Sequence, residues 1–335
     1  VPQQWLKNLA ADIERAAKHY PVPVTLDGEP LPSEDWLKDA DHVETWNGTR
    51  IGIFHRHPSH YSSRDHRLNF HGVTLPCDLP HVQEVDRGGH WIARVDIFDA
   101  PQIHLVLPAR KEVVENDAVA DLRSAVKTAI YRAIEAKGSH RLSHHDWTEA
   151  AALGVTLPQA EPYLFGWHAP AADYSRNYES GTRIGDPSMV LVPDFEALVA
   201  IPAEAAIAKR NPFGGPLVEA QDAFRGYGWY DVLARVEDLR FRIQQAGRVF
   251  IVSDSREAPT EVTDGWVDEI ELLATIAHAG AYVDVACEAD VAFAPDQFSC
   301  NSVDGTSIFV RRNSGVGSGT VTDLLESAIF YASDD

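Results

Sequence analysis

Cysteine, positive charge and long apolar runs are all scarce in this sequence, and each scarcity closes off a class of protein. The three cysteines, Cys77, Cys287 and Cys300, are odd in number, widely spaced and never arranged as C-x-x-C. That spacing supports neither a zinc ribbon nor a disulfide framework, and it favours a reducing compartment. Lys and Arg number 29 against 50 Asp and Glu, a formal net charge of −21. A surface of that sign repels phosphates, so it argues against nucleic acid binding over the whole molecule and leaves room only for a local basic patch. No stretch approaches the ~20 apolar residues of a membrane-spanning helix, and no signal peptide opens the chain. Together these features lead to the expectation of a cytoplasmic protein. Val1 is not an initiator Met and stands almost inside a helix, so the chain reads as a fragment or a processed product.

What is present is best defined between Trp91 and Ala136. Trp91, Ala93, Val95 and Ile97 alternate with more polar neighbours, the period of a half-buried strand. Asp99-Ala100-Pro101-Gln102 is turn chemistry. Ile103, Leu105 and Leu107 alternate again, and Pro108 ends that strand before the basic loop Ala109-Arg110-Lys111-Glu112. Asn116 suits an N-cap and Asp117 the positive end of a helix dipole. Val119, Leu122, Val126, Ile130 and Ala133 then recur at helical spacing up to a stop at Gly138.

Around this centre the sequence divides as a linking helix over 1–20, a β-α domain over 21–138, a helical segment and linker over 139–188, and a second α/β domain over 189–335. The first helix runs from Gln3 to Tyr20, and short strands are expected at Val22–Leu26 and Thr49–His55. Ser33 is placed to cap a short helix over Asp35–Ala40. Ser143 and Asp146 form an imperfect capping box for a helix closed by Gly154. In the second domain, strands are expected at Met189–Val192, Leu239–Ile243, Val249–Ser253, Tyr282–Ala286 and Ile308–Arg311. Helices are expected at Ala197–Arg210, Val218–Arg225, Trp266–His278 and Val321–Phe330. The fold class is α/β, of the mixed α+β kind.

Candidate chemistry is thin. Five of the fifteen histidines fall between His55 and His71. Neither the H-E-x-x-H spacing nor a matching set of carboxylates or thiolates accompanies them, so a solvated loop is expected and no metal site. His71, in the apolar run Leu68–Leu75, is expected to be a hydrogen-bonded strand residue. Asp254 follows the apolar strand Val249–Val252, a position where α/β sheets keep ligand-binding carboxylates. With Asp284, Glu288 and Asp290 it makes an acidic set that could hold Mg²⁺ for a nuclease or phosphodiesterase. The Gly-rich run Asn313–Val321 lacks the Lys-Ser/Thr ending of a P-loop, and no G-x-S-x-G elbow is present. No catalytic residue is assigned.

The strand over 102–107, the loop over 108–116 and the helix over 117–136 resemble the strand, lysine loop and helix of the transducer domain of the GHKL ATPases. That group holds gyrase B, the MutL mismatch-repair proteins, topoisomerase VI B and Hsp90-like chaperones. Upstream, Tyr20–Leu31 resembles the junction between ATPase and transducer domains, so the likeness covers residues 20 to 138. It implies that Lys111, with Arg110 beside it, reaches the γ-phosphate of ATP and senses its turnover. It also implies that the ATP and Mg²⁺ site belongs to an N-terminal ATPase domain outside this chain, with an unidentified protein as a further partner. The expected function is the transducer and partner-binding portion of a GHKL-type ATPase. Two other readings stand beside it: a metal-dependent nuclease centred on Asp254, Asp284 and Asp290, and an interaction protein without chemistry.

Overall fold

The computed structural model describes residues 3–57, 67–85, 88–106, 112–167, 182–193, 207, 211–245, 248–253, 267–294, 302–304 and 307–311. The fold is mixed α/β, and the chain divides into two compact units, Val1–Glu161 and Pro162–Asp335.

The first unit opens with helix α1 (Gln3–Ala17), which stops three residues short of Tyr20. Strands β1 (Thr25–Leu26) and β2 (Glu29–Pro30) make a minimal hairpin. Its turn, Asp27-Gly28, has both residues at positive φ, 52° and 88°, the geometry that tight hairpins require. Strand character is confined to these two residues because Pro21 and Pro23 carry no N–H for a ladder. The segment 35–40 is a set of turns rather than the expected helix. Asp35 caps it instead of Ser33, accepting from the Leu37 amide at 3.2 Å.

The main sheet contains β3 (His42–Trp46), β4 (Thr49–Arg56), β5 (Arg67–Phe70), β6 (Val73–Pro76), β7 (Val82–Gln83) and β8 (His90–Ile97). The order is β3-β4-β8-β5-β6, with β7 added to one end of β8. Neighbours run antiparallel except β5 and β8, which are parallel. The apolar run 68–75 is therefore a hairpin and not one strand. His71 sits in its turn at φ 50° followed by Gly72 at 94°, and the Gly72 amide donates to Asn69 Oδ1 at 3.0 Å. The sequence expectation of a strand histidine is corrected by that turn.

One face of the sheet is covered by helix α2 (Asp117–Lys137), capped by Asn116 and closed by Gly138 in the left-handed conformation. Its inward stripe of Val119, Leu122, Val126, Ile130 and Ile134 is almost wholly buried. It packs in one core with Ile51, Ile53, Trp91, Ala93 and Val95. Each such branched side chain contributes about 1.5–3 kcal/mol when fully buried. Helix α3 (His144–Ala152) follows, with Ser143 accepting from the Asp146 amide as anticipated. Trp36 and Leu37 cover the opposite face. Trp36 Nε1 donates to the Val95 carbonyl at 3.1 Å, and a Cβ on Gly52 would lie 2.8 Å from Leu37. The Arg94 guanidinium rests over the rings of Trp36 and Phe54.

A polar network pins that second layer. Arg50 donates to both Asp35 oxygens at 3.2 and 3.1 Å and lies 3.5 Å from Asp96. Asn69 donates to Asp96 at 2.8 Å. The Arg50 contact holds the Asp35 carboxyl below its ordinary value, whereas burial pushes Asp96 above its own.

The second unit contains β9 (Leu164–Phe165), β10 (Arg183–Ile184), β11 (Val190–Val192), β12 (Leu217–Glu219), β13 (Ala234–Gln245), β14 (Arg248–Ser253), β15 (Val267–His278), β16 (Ala281–Ala294), β17 (Ser302–Asp304) and β18 (Ser307–Arg311). Strands β9 and β10 pair by themselves. The other eight form one sheet of order β12-β11-β13-β15-β16-β18-β17, with β14 also on β13.

Two helix expectations fail here. Val218 lies in β12, followed by a single 3-10 turn at Asp222–Phe224. The segment expected as the helix Trp266–His278 is β15, with Trp266 itself outside the described residues. Ile270, Leu273 and Ile276 fit a helical stripe, but Ile270, Leu272, Ala274 and Ile276 fit a strand period equally well. Pairing with β13 on one side and β16 on the other decides the matter, since cross-strand context overrides intrinsic preference. The helices expected over 197–210 and 321–330 lie outside the described residues, except Ile207.

The β3–β4 turn yields a direct test. Gly48 has φ +73°, and a Cβ there would stand 1.6 Å from the Asp99 carbonyl oxygen. Gly48→Ala is expected to destabilise the first unit by about 2–4 kcal/mol, from backbone strain plus a displaced β8 end. Urea unfolding followed by tryptophan fluorescence measures this, and a loss under about 0.5 kcal/mol contradicts it.

Candidate functional site

The residues on either side of Arg110 and Lys111 are anchored. At the end of β8, the amides of Phe98 and Asp99 both donate to the Gly48 carbonyl, at 3.1 and 2.9 Å. The chain then turns at Ala100–Gln102, with the Ile103 amide on the Ala100 carbonyl. The strand expected over 103–107 reduces to an isolated antiparallel bridge, Leu105 to Val113. Its flanking bonds run from the Val106 amide to Glu112 and from the Val114 amide to His104. Residues 104–106 therefore pair with 112–114, and the chain between them holds Arg110 and Lys111. Both residues lie outside the described set.

The returning arm is fastened to α2. Asn116 accepts from the Val119 amide at 3.0 Å and donates its own amide to the Gln102 carbonyl at 3.1 Å. It thus caps the helix and ties it to the outgoing arm in one step. Arg123 grips Glu115 through two hydrogen bonds of 2.6 Å and donates Nε to the Asp78 carbonyl. That grip holds the Glu115 carboxyl below its ordinary value.

The far end of α2 holds a cluster, a buried carboxylate and indole under an exposed lysine, that sequence reasoning missed. Glu84, only 4% exposed, accepts from Trp91 Nε1 at 2.9 Å. Lys137, in the last helical turn, places Nζ 3.8 Å from Glu84 and 5.1 Å from the Trp91 ring centre. Its charge also suits the negative end of the helix dipole. His55 also stacks on Trp91 with ring centres 4.4 Å apart, and its Nε2 donates to the Gly88 carbonyl. His140 donates Nε2 to the Pro158 carbonyl at 2.8 Å and accepts the Leu142 amide on Nδ1 at 3.2 Å. Both ring nitrogens are used, and in the neutral tautomer alone. The signal for this cluster was a lysine in the closing turn of a helix, too common a feature of sequences to single out.

Helix α3 is clamped to α2 at Glu149, which takes Lys127 at 2.7 Å and the Tyr131 hydroxyl at 2.8 Å. Burial disfavours the Glu149 anion, but these two donors outweigh it and hold its carboxyl below the ordinary range. Tyr131 is pushed far upward by burial and by the same carboxylate.

The acidic residues of the second unit are not brought together by the described strands. Asp284 accepts from Thr275 across the β15–β16 pair at 2.7 Å. Glu288 and Asp290 lie further along β16, roughly 14 and 20 Å away at ~3.4 Å per residue. Asp254 and the Gly-rich run 313–321 lie outside the described residues. Among the described residues no group of three or more His, Cys, Asp or Glu side chains could hold a metal, and no helix is long and apolar enough to cross a membrane.

Comparison with known protein families, with characterised proteins and with solved structures finds no match for this chain.

Two outcomes are expected from the cluster. Removing Glu84 leaves a buried indole N–H and a lysine without their shared acceptor. Glu84→Ala should therefore cost about 2–4 kcal/mol of unfolding free energy in urea titration, and an unchanged midpoint contradicts the cluster's structural weight. Burial holds His55, His90 and His140 below the ordinary imidazole value. The unfolded chain then binds more protons than the folded one as pH falls through about 6.5, so stability is present above that point and is lost below it. The thermal midpoint should fall steadily from about pH 7.5 to about pH 5.5. A flat or rising profile over that window runs against the assignment.

Proposed function

We propose that this chain is the transducer and partner-binding portion of a GHKL-type ATPase, with residues 21–138 as the transducer. What carries the reading is the mechanical continuity of α2. The paired arms 104–106 and 112–114, which flank Arg110 and Lys111, join the N-terminus of this helix through Asn116. The helix then runs 21 residues, about 31 Å at 1.5 Å per residue, to the Glu84–Lys137–Trp91 cluster. A force on the loop is thus delivered to the far end of the domain and, through Lys127, Tyr131 and Glu149, to α3.

In this reading Lys111 makes a charge-assisted contact with the γ-phosphate of ATP held by a GHKL ATPase domain, with Arg110 supplying further positive potential. The contact favours one arrangement of the domains while the γ-phosphate is present. Hydrolysis removes it, and the populations shift toward the other arrangement. ATP and Mg²⁺ belong to the ATPase domain.

The test is Lys111→Ala in the protein that includes the ATPase domain. Turnover of ATP should fall by about 10- to 1,000-fold, the range for losing one positioned electrostatic contact to a transferring phosphoryl group. The unfolding midpoint should stay within about 0.5 kcal/mol of the parent. Unchanged turnover, or tight ATP binding by residues 1–335 alone, rejects the transducer reading.

A further inference from the structure

The two ends of the main sheet in the first unit are built differently. Strand β6 closes one end and carries Pro76, a residue that cannot donate to a further strand and that blunts an edge. Strand β3, His42–Trp46, closes the other end, and it has neither proline nor lysine.

The polarity of the β3 edge follows from its turn. Asn47-Gly48 is a two-residue connection, both at positive φ, so Trp46 and Thr49 form its hydrogen-bonded closing pair. Alternation then turns the backbone groups of Trp46, Glu44 and His42 toward β4 and those of Val43 and Thr45 away from it. Among the described residues β3 pairs with β4 alone. Val43 and Thr45 therefore offer an outward row of amides and carbonyls, and the Val43 side chain is 44% exposed.

His42 and Glu44 stand on the face that meets α2, where Arg132 reaches Glu44 at 3.2 Å. His42 Nε2 is 3.6 Å from the Glu44 carboxylate, beyond hydrogen-bond length, and it is a buried nitrogen with no hydrogen-bond partner.

We propose that β3 pairs antiparallel with β3 of a second copy of this chain, about a two-fold axis through Val43. In that register the outward groups of Val43 meet their own equivalents and exchange two hydrogen bonds, and the Thr45 amides meet the Asp41 carbonyls. Opposite residues share a face, with Cβ atoms about 4.5–5.5 Å apart. His42 of each copy thus stands across from Glu44 of the other, an imidazole opposite a carboxylate. One-residue slippage to a two-fold at Glu44 would instead set the two glutamates against each other, so charge selects the register.

The helices do not obstruct this pairing. Helix α2 lies across β3, β4 and β8, with β4 the middle strand of the three, and three strand spacings of about 4.8 Å separate β4 from its equivalent. The two α2 axes then lie roughly 14 Å apart, outside the 8–10 Å of packed helices. The result is one continuous sheet with both α2 helices on the same side.

The inference is independent of the transducer reading and is tested on the whole chain by sedimentation velocity between about 1 and about 200 μM. The expected result is a concentration-dependent shift from one chain to two. His42→Glu, which sets two carboxylates opposite each other, should weaken that association at least tenfold. The swap His42→Glu with Glu44→His should restore it to within about threefold. Val43→Pro, which removes the central N–H, should leave a single species. Circular dichroism of each variant confirms that the sheet is retained. A wild-type chain that stays single throughout the range overturns the proposal. So does a dimer indifferent to His42→Glu, or a swap that fails to restore association while the sheet is intact.

Discussion

The antiparallel pairing of β4 with β8 sets the frame for everything else in the first unit, because these two strands are covered on both faces. Eight residue pairs run from Thr49 opposite Ile97 to Arg56 opposite His90. Backbone groups buried this deeply have no water to fall back on, so the ladder is the arrangement that leaves them satisfied. The side chains then sort by parity. Ile51, Ile53, Ala93 and Val95 meet α2, while Phe54 and Arg94 meet the Trp36 layer. The remaining strands of this sheet extend the ladder sideways, and α3 is held through α2. The electrostatic features follow as well: the Arg50–Asp35–Asp96 network closes one side, and the Glu84–Lys137 pair closes the other.

What the sequence made legible in this unit is what local chemistry decides. The alternation of Trp91, Ala93, Val95 and Ile97, the Asn116 cap and the Gly138 stop all fall within a residue of their observed places. What it hid depends on partners far along the chain. Ile103, Leu105 and Leu107 alternate as a strand should, yet the outgoing arm finds only the short return at Val113 to pair with. His71 looked like a strand residue because the apolar run 68–75 contains no obvious break. The break is the His71-Gly72 turn, and its driver is the Asn69 side chain, an effect of conformation that hydropathy does not register.

The second unit misled for a related reason. Its long strands β13, β15 and β16 hold twelve, twelve and fourteen residues, well beyond the usual five or six. A run that long, with apolar residues on most alternate positions, contains helical spacings by chance. Leu272 and Leu273 occur side by side in β15, so that strand reads equally as a stripe and as an alternation. Register with two neighbours resolved it, and register is invisible until the neighbours are known. The candidate site was legible to the same degree. The basic pair Arg110-Lys111 stood out in the sequence, whereas the Glu84–Lys137–Trp91 cluster joins residues separated by more than fifty positions.

The contrast between two hairpin turns in the first unit bears on where this protein tolerates added chain. Exposed turn tips are ordinarily the places to insert a tag, a fluorophore loop or a new terminus. Asp27-Gly28 fits that description, since a Cβ at Gly28 would touch nothing within 4 Å. Asn47-Gly48 looks equivalent by sequence and by φ, but its carbonyl is the common acceptor for the Phe98 and Asp99 amides. Lengthening that turn would withdraw the acceptor from the end of β8 and slacken the start of the segment leading to α2. Insertional scanning of this chain should therefore find one permissive hairpin and one closed to additions, although the two tips differ little in the letters that spell them.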